Sequence, residues 1–179
     1  INSLKGEFEI DFKNGVLGDA GLFAIVGPTG AGKSTLLDVI TLSLYGKIPR
    51  NGGDKAIISK NSIHDEGSIV TRNTEEAFAE TTFSVNGDKT YRSSWQIMKN
   101  RNSNWNQHTL RLIDATNNSP ITDKNKETEV ENQRIIGLDY SQFIRSMILS
   151  QGEFARLLKS DKKERNSLLE KLTGVVDYR

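Results

Sequence analysis

The residues best equipped for chemistry stand together: Gly27-Pro28-Thr29-Gly30-Ala31-Gly32-Lys33-Ser34. Three glycines let a backbone curl with its N–H groups turned inward, and let an anion approach without meeting a β carbon. The lysine brings a positive charge, and the serine a hydroxyl that can ligate a hard cation. The spacing Gly-x4-Gly-Lys-Ser is the Walker A pattern of a phosphate-binding loop, so ATP and Mg²⁺ are the expected ligands. Lys33 should reach the β- and γ-phosphates, Ser34 should ligate Mg²⁺, and Thr35 should meet the α-phosphate. The backbone of Gly27, Pro28, Thr29, Gly30, Ala31 and Gly32 forms the cradle in this reading.

Such a loop works only between a strand and a helix, and both are readable. Residues 22–26 (Leu-Phe-Ala-Ile-Val) run apolar without interruption, which predicts a strand covered on both faces. From Lys33 onward Leu36, Leu37, Ile40 and Leu44 recur at helical spacing, and Gly46 is placed to end the helix after Tyr45. Upstream, residues 7–12 alternate acidic and apolar, the pattern of a strand with one wet face. Downstream, Ala79, Thr81, Phe83 and Val85 share one parity, and Tyr91, Ser93, Trp95 and Ile97 share the return parity. Asn86-Gly87 between them is a hairpin turn signal. Residues 99–108 read as an exposed polar loop, 110–113 as a further strand, and 124–136 as a helix ending before Gly137. A helix from 141 to 148 running into a short strand at 147–149 follows. Asp161 with Glu164 marks the start of a last helix, whose stripe is Leu168, Leu169 and Leu172. The stretch from Arg50 to Arg72 reads as loop with short elements. The fold class is therefore α/β, a P-loop nucleotide-binding fold carrying an antiparallel β-subdomain.

Hydrolysis needs more than this loop: a carboxylate at the end of another strand to hold Mg²⁺, and a group to orient water. The only candidate is Asp114 after Leu110-Arg111-Leu112-Ile113, and Arg111 interrupts what should be a buried strand. Ala115 stands where a catalytic Glu is needed, and no Ser-Gly-Gly signature occurs. The chain holds half of an ATPase site.

Three stretches resemble one family. Asn2-Ser3-Leu4-Lys5-Gly6-Glu7, the loop continued through Thr35-Leu36-Leu37-Asp38 to Leu44-Tyr45-Gly46, and Ser150-Gln151-Gly152-Glu153-Phe154-Ala155-Arg156-Leu157-Leu158 are similar to the N-terminal segment of SbcC ATPases. The resemblance implies that residues 1–179 form the N-terminal lobe of an ABC-type ATPase head, with 160–179 opening the helix toward a long coiled coil and its zinc hook. It implies that Gln151 is the Q-loop glutamine, touching Mg²⁺, positioning water and linking the site to lobe motion. A C-terminal lobe of the same protein would bring the signature motif, the Walker B Asp and the catalytic Glu. A second copy of the head would sandwich ATP, the SbcD nuclease would cut, and double-stranded DNA would be a partner. Asn2 lacks the charge of the Arg that some relatives carry near this position.

Composition agrees without deciding. Hydrophobic residues at 35% with 26% charged describe an ordinary globular protein, no run approaches the length of a membrane span, and no cysteine is present for disulfides or thiolate metal sites. That suits a reducing cytoplasm. The net charge of +1 exerts no global pull on nucleic acid, so any DNA surface must be local. The chain opens on Ile1 rather than Met, which reads as a piece of something longer. His64 and His108 read as surface residues, and Trp95 as core. Trp105, with Lys99, Arg101 and Arg111 nearby, could stack a base but reads better as part of a solvated loop. Lys162, Lys163 and Arg165 could touch DNA or a partner, or simply form a charged helix face. A chromosome-structuring ATPase of the SMC or RecF type is the competing function. A transporter ATPase is disfavoured by the long gap between Lys33 and Gln151, and a small-molecule kinase by the lack of an acceptor site or lid.

Overall fold

The computed structural model describes residues 1, 4–20, 23–49, 69–85, 87 and 89–147. The expectations for Asn2, His64, Gln151 and its flanking motif, and the helix begun at Asp161 lie outside the described residues. Gly87 takes φ +79°, a value glycine adopts freely, and the chain doubles back there as β1 (Glu76–Val85) and β2 (Lys89–Met98). Their register pairs Ala79 with Trp95 and Thr81 with Ser93, so the two predicted parities share one face. β3 (Thr109–Asp114) and β4 (Ser119–Thr122) extend the sheet in the order β1-β2-β3-β4, all antiparallel. β4 went unread in the sequence because its four residues, Pro120 among them, carry no period.

The inner face of this sheet packs on α2 (Lys33–Tyr45), which follows the short α1 (Gly15–Asp19). Leu42, Ile48, Ala77, Ala79, Trp95, Ile97 and Leu110 form the main core. α2 ends as its sequence demands: Gly46 adopts φ +66° and its N–H donates to the Leu42 carbonyl at 2.8 Å. A β carbon at Gly46 would come within 3.0 Å of a Leu110 methyl, so close packing and a left-handed backbone both select glycine.

α3 (Asn125–Ile136) is held differently, because it lacks an apolar stripe. It binds through three polar residues at helical spacing. Asn125 accepts from Leu110 N–H (2.8 Å) and donates to the His108 carbonyl (2.9 Å), acting as a piece of strand edge beside β3. The Thr128 hydroxyl donates to the Leu110 carbonyl at 3.3 Å. Asn132, fully buried, donates from one amide nitrogen to the Leu44 carbonyl and to Ser93 Oγ, both at 2.8 Å. The Ser93 hydroxyl in turn donates to the Ser43 carbonyl at 2.7 Å, and the Ser43 and Thr81 hydroxyls meet at 2.6 Å. α4 (Tyr140–Met147) follows Gly137, and its Tyr140 and Phe143 join Leu44 and Tyr45 in a second core.

Four expectations are corrected. Residues 7–12 and 23–26 are not strands, and Phe8, Ile10, Phe12, Phe23, Ile25 and Val26 are all exposed. A strand needs a neighbour for its backbone groups, and none of the described residues offers one. Trp105 is not in a solvated loop: Lys99 and Trp105 form a β-bridge that carries the indole into the core. His108 is half-buried rather than on the surface, stacked on Trp95 at 6.0 Å.

Truncating Asn132 to Ala strands the Leu44 carbonyl in an apolar setting and leaves a cavity. We expect a loss of about 2–4 kcal/mol in unfolding free energy, read from urea denaturation. Burial also holds the His108 imidazole below its ordinary pKa of 6.5. The unfolded chain therefore binds that proton more readily than the folded one. Stability should be intact above pH 6.5 and fall as pH drops through and below it, and His108→Gln should flatten that part of the stability-against-pH curve.

Candidate phosphate-binding site

The loop before α2 has the conformation its glycines allow. Ala31 N–H donates to the Pro28 carbonyl at 3.2 Å, closing a turn, and Gly30 and Gly32 take φ +85° and +89°. Gly27 is less constrained, since a β carbon there would make only ordinary contact, 3.5 Å from that of Ala31. Lys33 folds back over the loop, and its Nζ donates to the carbonyls of Gly27 (2.7 Å) and Pro28 (2.8 Å). Residues 27–31 and Ser34 are exposed, whereas Thr35 is buried under the first turn of the helix.

These features fit a phosphate. No side chain caps α2, and its first turn carries no acidic residue. Helix geometry leaves the first N–H groups without intrahelical acceptors and places a partial positive charge there. An anion satisfies both, aided by the Lys33 ammonium above the same loop. Ser34, exposed beside it, fits a Mg²⁺ ligand.

Among the described residues, the other sequence candidates do not join this loop. Asp114 ends a strand of the antiparallel sheet, and its carboxylate accepts from Thr116 N–H at 2.9 Å, capping a turn. Among the described residues no group of three or more His, Asp or Glu could hold a metal. The basic-aromatic grouping is split. The Trp105 ring is buried with Lys99 Nζ 5.2 Å from its centroid, while Arg111 lies with Arg92 and Glu80 around an open hollow elsewhere on the sheet. What sequence reasoning missed is the anchorage of α2. Tyr45 is almost fully buried, and its hydroxyl donates to the Leu138 carbonyl at 3.1 Å. Its place at the helix end, between Leu44 and Gly46, was the available signal.

Alanine at Gly32 would force a β carbon into a left-handed backbone, a strain of about 1–2 kcal/mol. Gly32→Ala should therefore weaken nucleotide affinity about five- to thirtyfold, measured by fluorescent-nucleotide titration.

The model of the AAA domain family matches residues 1–177. Similar curated proteins include the SbcC components of three bacterial SbcCD nucleases. That of Pseudomonas aeruginosa is 36% identical, over 99% of this chain and 16% of its own length. That of Rhodobacter capsulatus is 35% identical, over 100% and 15% respectively. That of Clostridium acetobutylicum is 32% identical, over 99% and 14%. The chain thus spans about a sixth of the length of these relatives. With nearly every residue matched and a phosphate loop on an uncapped helix, the chain belongs to the AAA domain family and has the α/β fold of a P-loop nucleotide-binding lobe, similar to that of SbcC proteins.

Proposed function

We propose that the chain is the ATP- and Mg²⁺-binding N-terminal lobe of an SbcC-type ATPase head, part of a complex that processes DNA double-strand ends. The observation that carries this is the phosphate loop itself, with Lys33, two left-handed glycines and the bare N-terminus of α2 converging on one anion site.

In this reading the N–H groups of residues 30 to 35 hold the phosphates. Lys33 exchanges its two loop carbonyls for β- and γ-oxygens, a replacement of one charge-assisted pair by a stronger one. Ser34 ligates Mg²⁺, and Thr35 meets the α-phosphate. Gln151 positions water and touches the metal, which makes it the residue that senses the γ-phosphate. Bound ATP with Mg²⁺ supplies the γ-phosphoryl group whose presence or loss distinguishes two arrangements of the lobes.

The partners follow from the same reading: a C-terminal lobe of the longer protein, a second copy of the head, the SbcD nuclease and double-stranded DNA. The exposed apolar residues support the first of these. Phe12 stacks on Phe23 at 5.6 Å, and Ile25 and Val26 lie open to solvent just before the loop. A parallel sheet added by the C-terminal lobe would cover them and turn 22–26 into the buried strand its composition suits. Among the described residues no helix is long and apolar enough to cross a membrane.

Calorimetry on the isolated chain should show weak ATP binding that Lys33→Ala abolishes. Unchanged affinity in that variant would remove the phosphate-loop assignment. Hydrolysis by the chain alone should stay at background and rise when the C-terminal lobe is added in trans. Rapid Mg²⁺-dependent hydrolysis without it would mean that a carboxylate of this chain, Asp114 first, serves the metal.

A further inference from the structure

Two observations meet at the far end of α2. The first is a ring cluster: Tyr45 packs on Tyr140 (centroids 5.7 Å apart, edge-on) and on Phe143 (5.4 Å, tilted). The second is the Tyr45 hydroxyl, which donates to the Leu138 carbonyl at 3.1 Å. Burial, helped by Asp139, pushes the phenol's pKa up, so the hydroxyl remains a donor. Leu138 lies in the joint between α3 and α4. Gly137 closes α3 in the left-handed region at φ +78°. Asp139 then opens α4 through a reciprocal cap: its carboxylate accepts from Gln142 N–H at 2.8 Å, and Gln142 Oε1 accepts from Asp139 N–H at 2.9 Å. Lys47, just past α2, pairs with Glu129 of α3 and lies 5.4 Å over the Tyr140 ring. The joint is therefore fixed to the end of α2 on several sides.

One of its arms runs to the phosphate loop, and the other continues in sequence toward Gln151. α2 is a helix of 13 residues with the phosphate loop at its other end, so a displacement at one end is carried to the other. α4 is a two-turn helix, and Gln151 follows its last residue, Met147, by four positions in sequence. We propose that Tyr45 is a positioning residue: its hydroxyl bond to Leu138 and its ring contacts with Tyr140 and Phe143 couple the phosphate-loop helix to α4, and so set where the chain to Gln151 begins. This rests on the reading of Gln151 as the γ-phosphate sensor. Tyr45 touches no phosphate and adds nothing to ground-state binding. Its loss loosens the coupling between nucleotide state and turnover.

The test uses the full-length protein and compares wild type, Tyr45→Phe, Gln151→Ala and the double variant. Nucleotide affinity, steady-state hydrolysis and ATP-induced head dimerisation are measured, with thermal melting to verify folding. Tyr45→Phe keeps the ring and removes only the hydroxyl. We expect affinity and KM within about twofold of wild type and kcat and dimerisation lowered about five- to tenfold, the loss of one buried hydrogen bond. In the Gln151→Ala background Tyr45→Phe should cause no further loss, because both act through one path. A Tyr45→Phe protein with normal kcat, beside an impaired Gln151→Ala, overturns the inference while sparing the sensor reading. Fully multiplicative losses in the double variant also overturn it. An unimpaired Gln151→Ala removes the sensor reading and the inference together.

Discussion

Everything in this lobe depends on where the last two turns of α2 are held. A helix C-terminus leaves carbonyls without intrahelical partners, and in a protein interior each must find a donor. Here the donors come from three directions: Gly46 from the chain itself, Ser93 from the sheet, and Asn132 from α3. An apolar contact would tolerate sliding by a fraction of a turn. Hydrogen bonds to the Ser43 and Leu44 carbonyls do not, because donor and acceptor must meet within a few tenths of an ångström. The bracket therefore sets the register of α2 against sheet and helix at once. The phosphate loop, at the opposite end, inherits its position from it.

The two ends of α2 live in different environments. From Thr41 to Gly46 every residue is buried, whereas Lys33, Ser34, Leu36 and Leu37 are exposed or only partly covered. This asymmetry suits the task. The end that must not move is packed into two cores, and the end that must receive an anion keeps its N–H groups free of side-chain caps.

Much of this was legible locally. The phosphate loop, the glycine stops at Gly46 and Gly137 and the turn at Gly87 each depend on backbone conformations that few residues adopt, so a short window of sequence suffices. The hairpin parity was readable because one face meets a core. The misreadings share a cause. Trp105 in a run of asparagines looks solvated until Lys99 is known to pair with it, and His108 looks exposed until Trp95 lies beside it. Residues 22–26 were read as buried because their composition is that of a buried strand, although no described neighbour pairs with residues 23–26. α3 was found by its length and stop signal, but its inward face of Asn125, Thr128 and Asn132 is polar and gave no hint of burial. Long-range hydrogen bonds leave no periodic trace.

The partners of α2 also impose an order of assembly. The Leu44–Asn132 bond spans 88 residues of chain and the Tyr45–Leu138 bond 93, while Ser43 reaches Thr81 across 38. Closing long segments costs chain entropy that short ones avoid, so the β1–β2 hairpin, its strands only three residues apart in sequence, is the natural nucleus. On a translating ribosome the phosphate-loop helix emerges first yet gains its fasteners last, once the sheet and then α3 have followed. For that interval it is a short helix with an apolar face and no anchor. The bonds to Asn132 and Leu138 can form only after those residues have been made, which ties full anchorage of the phosphate-loop helix to completion of the chain behind it.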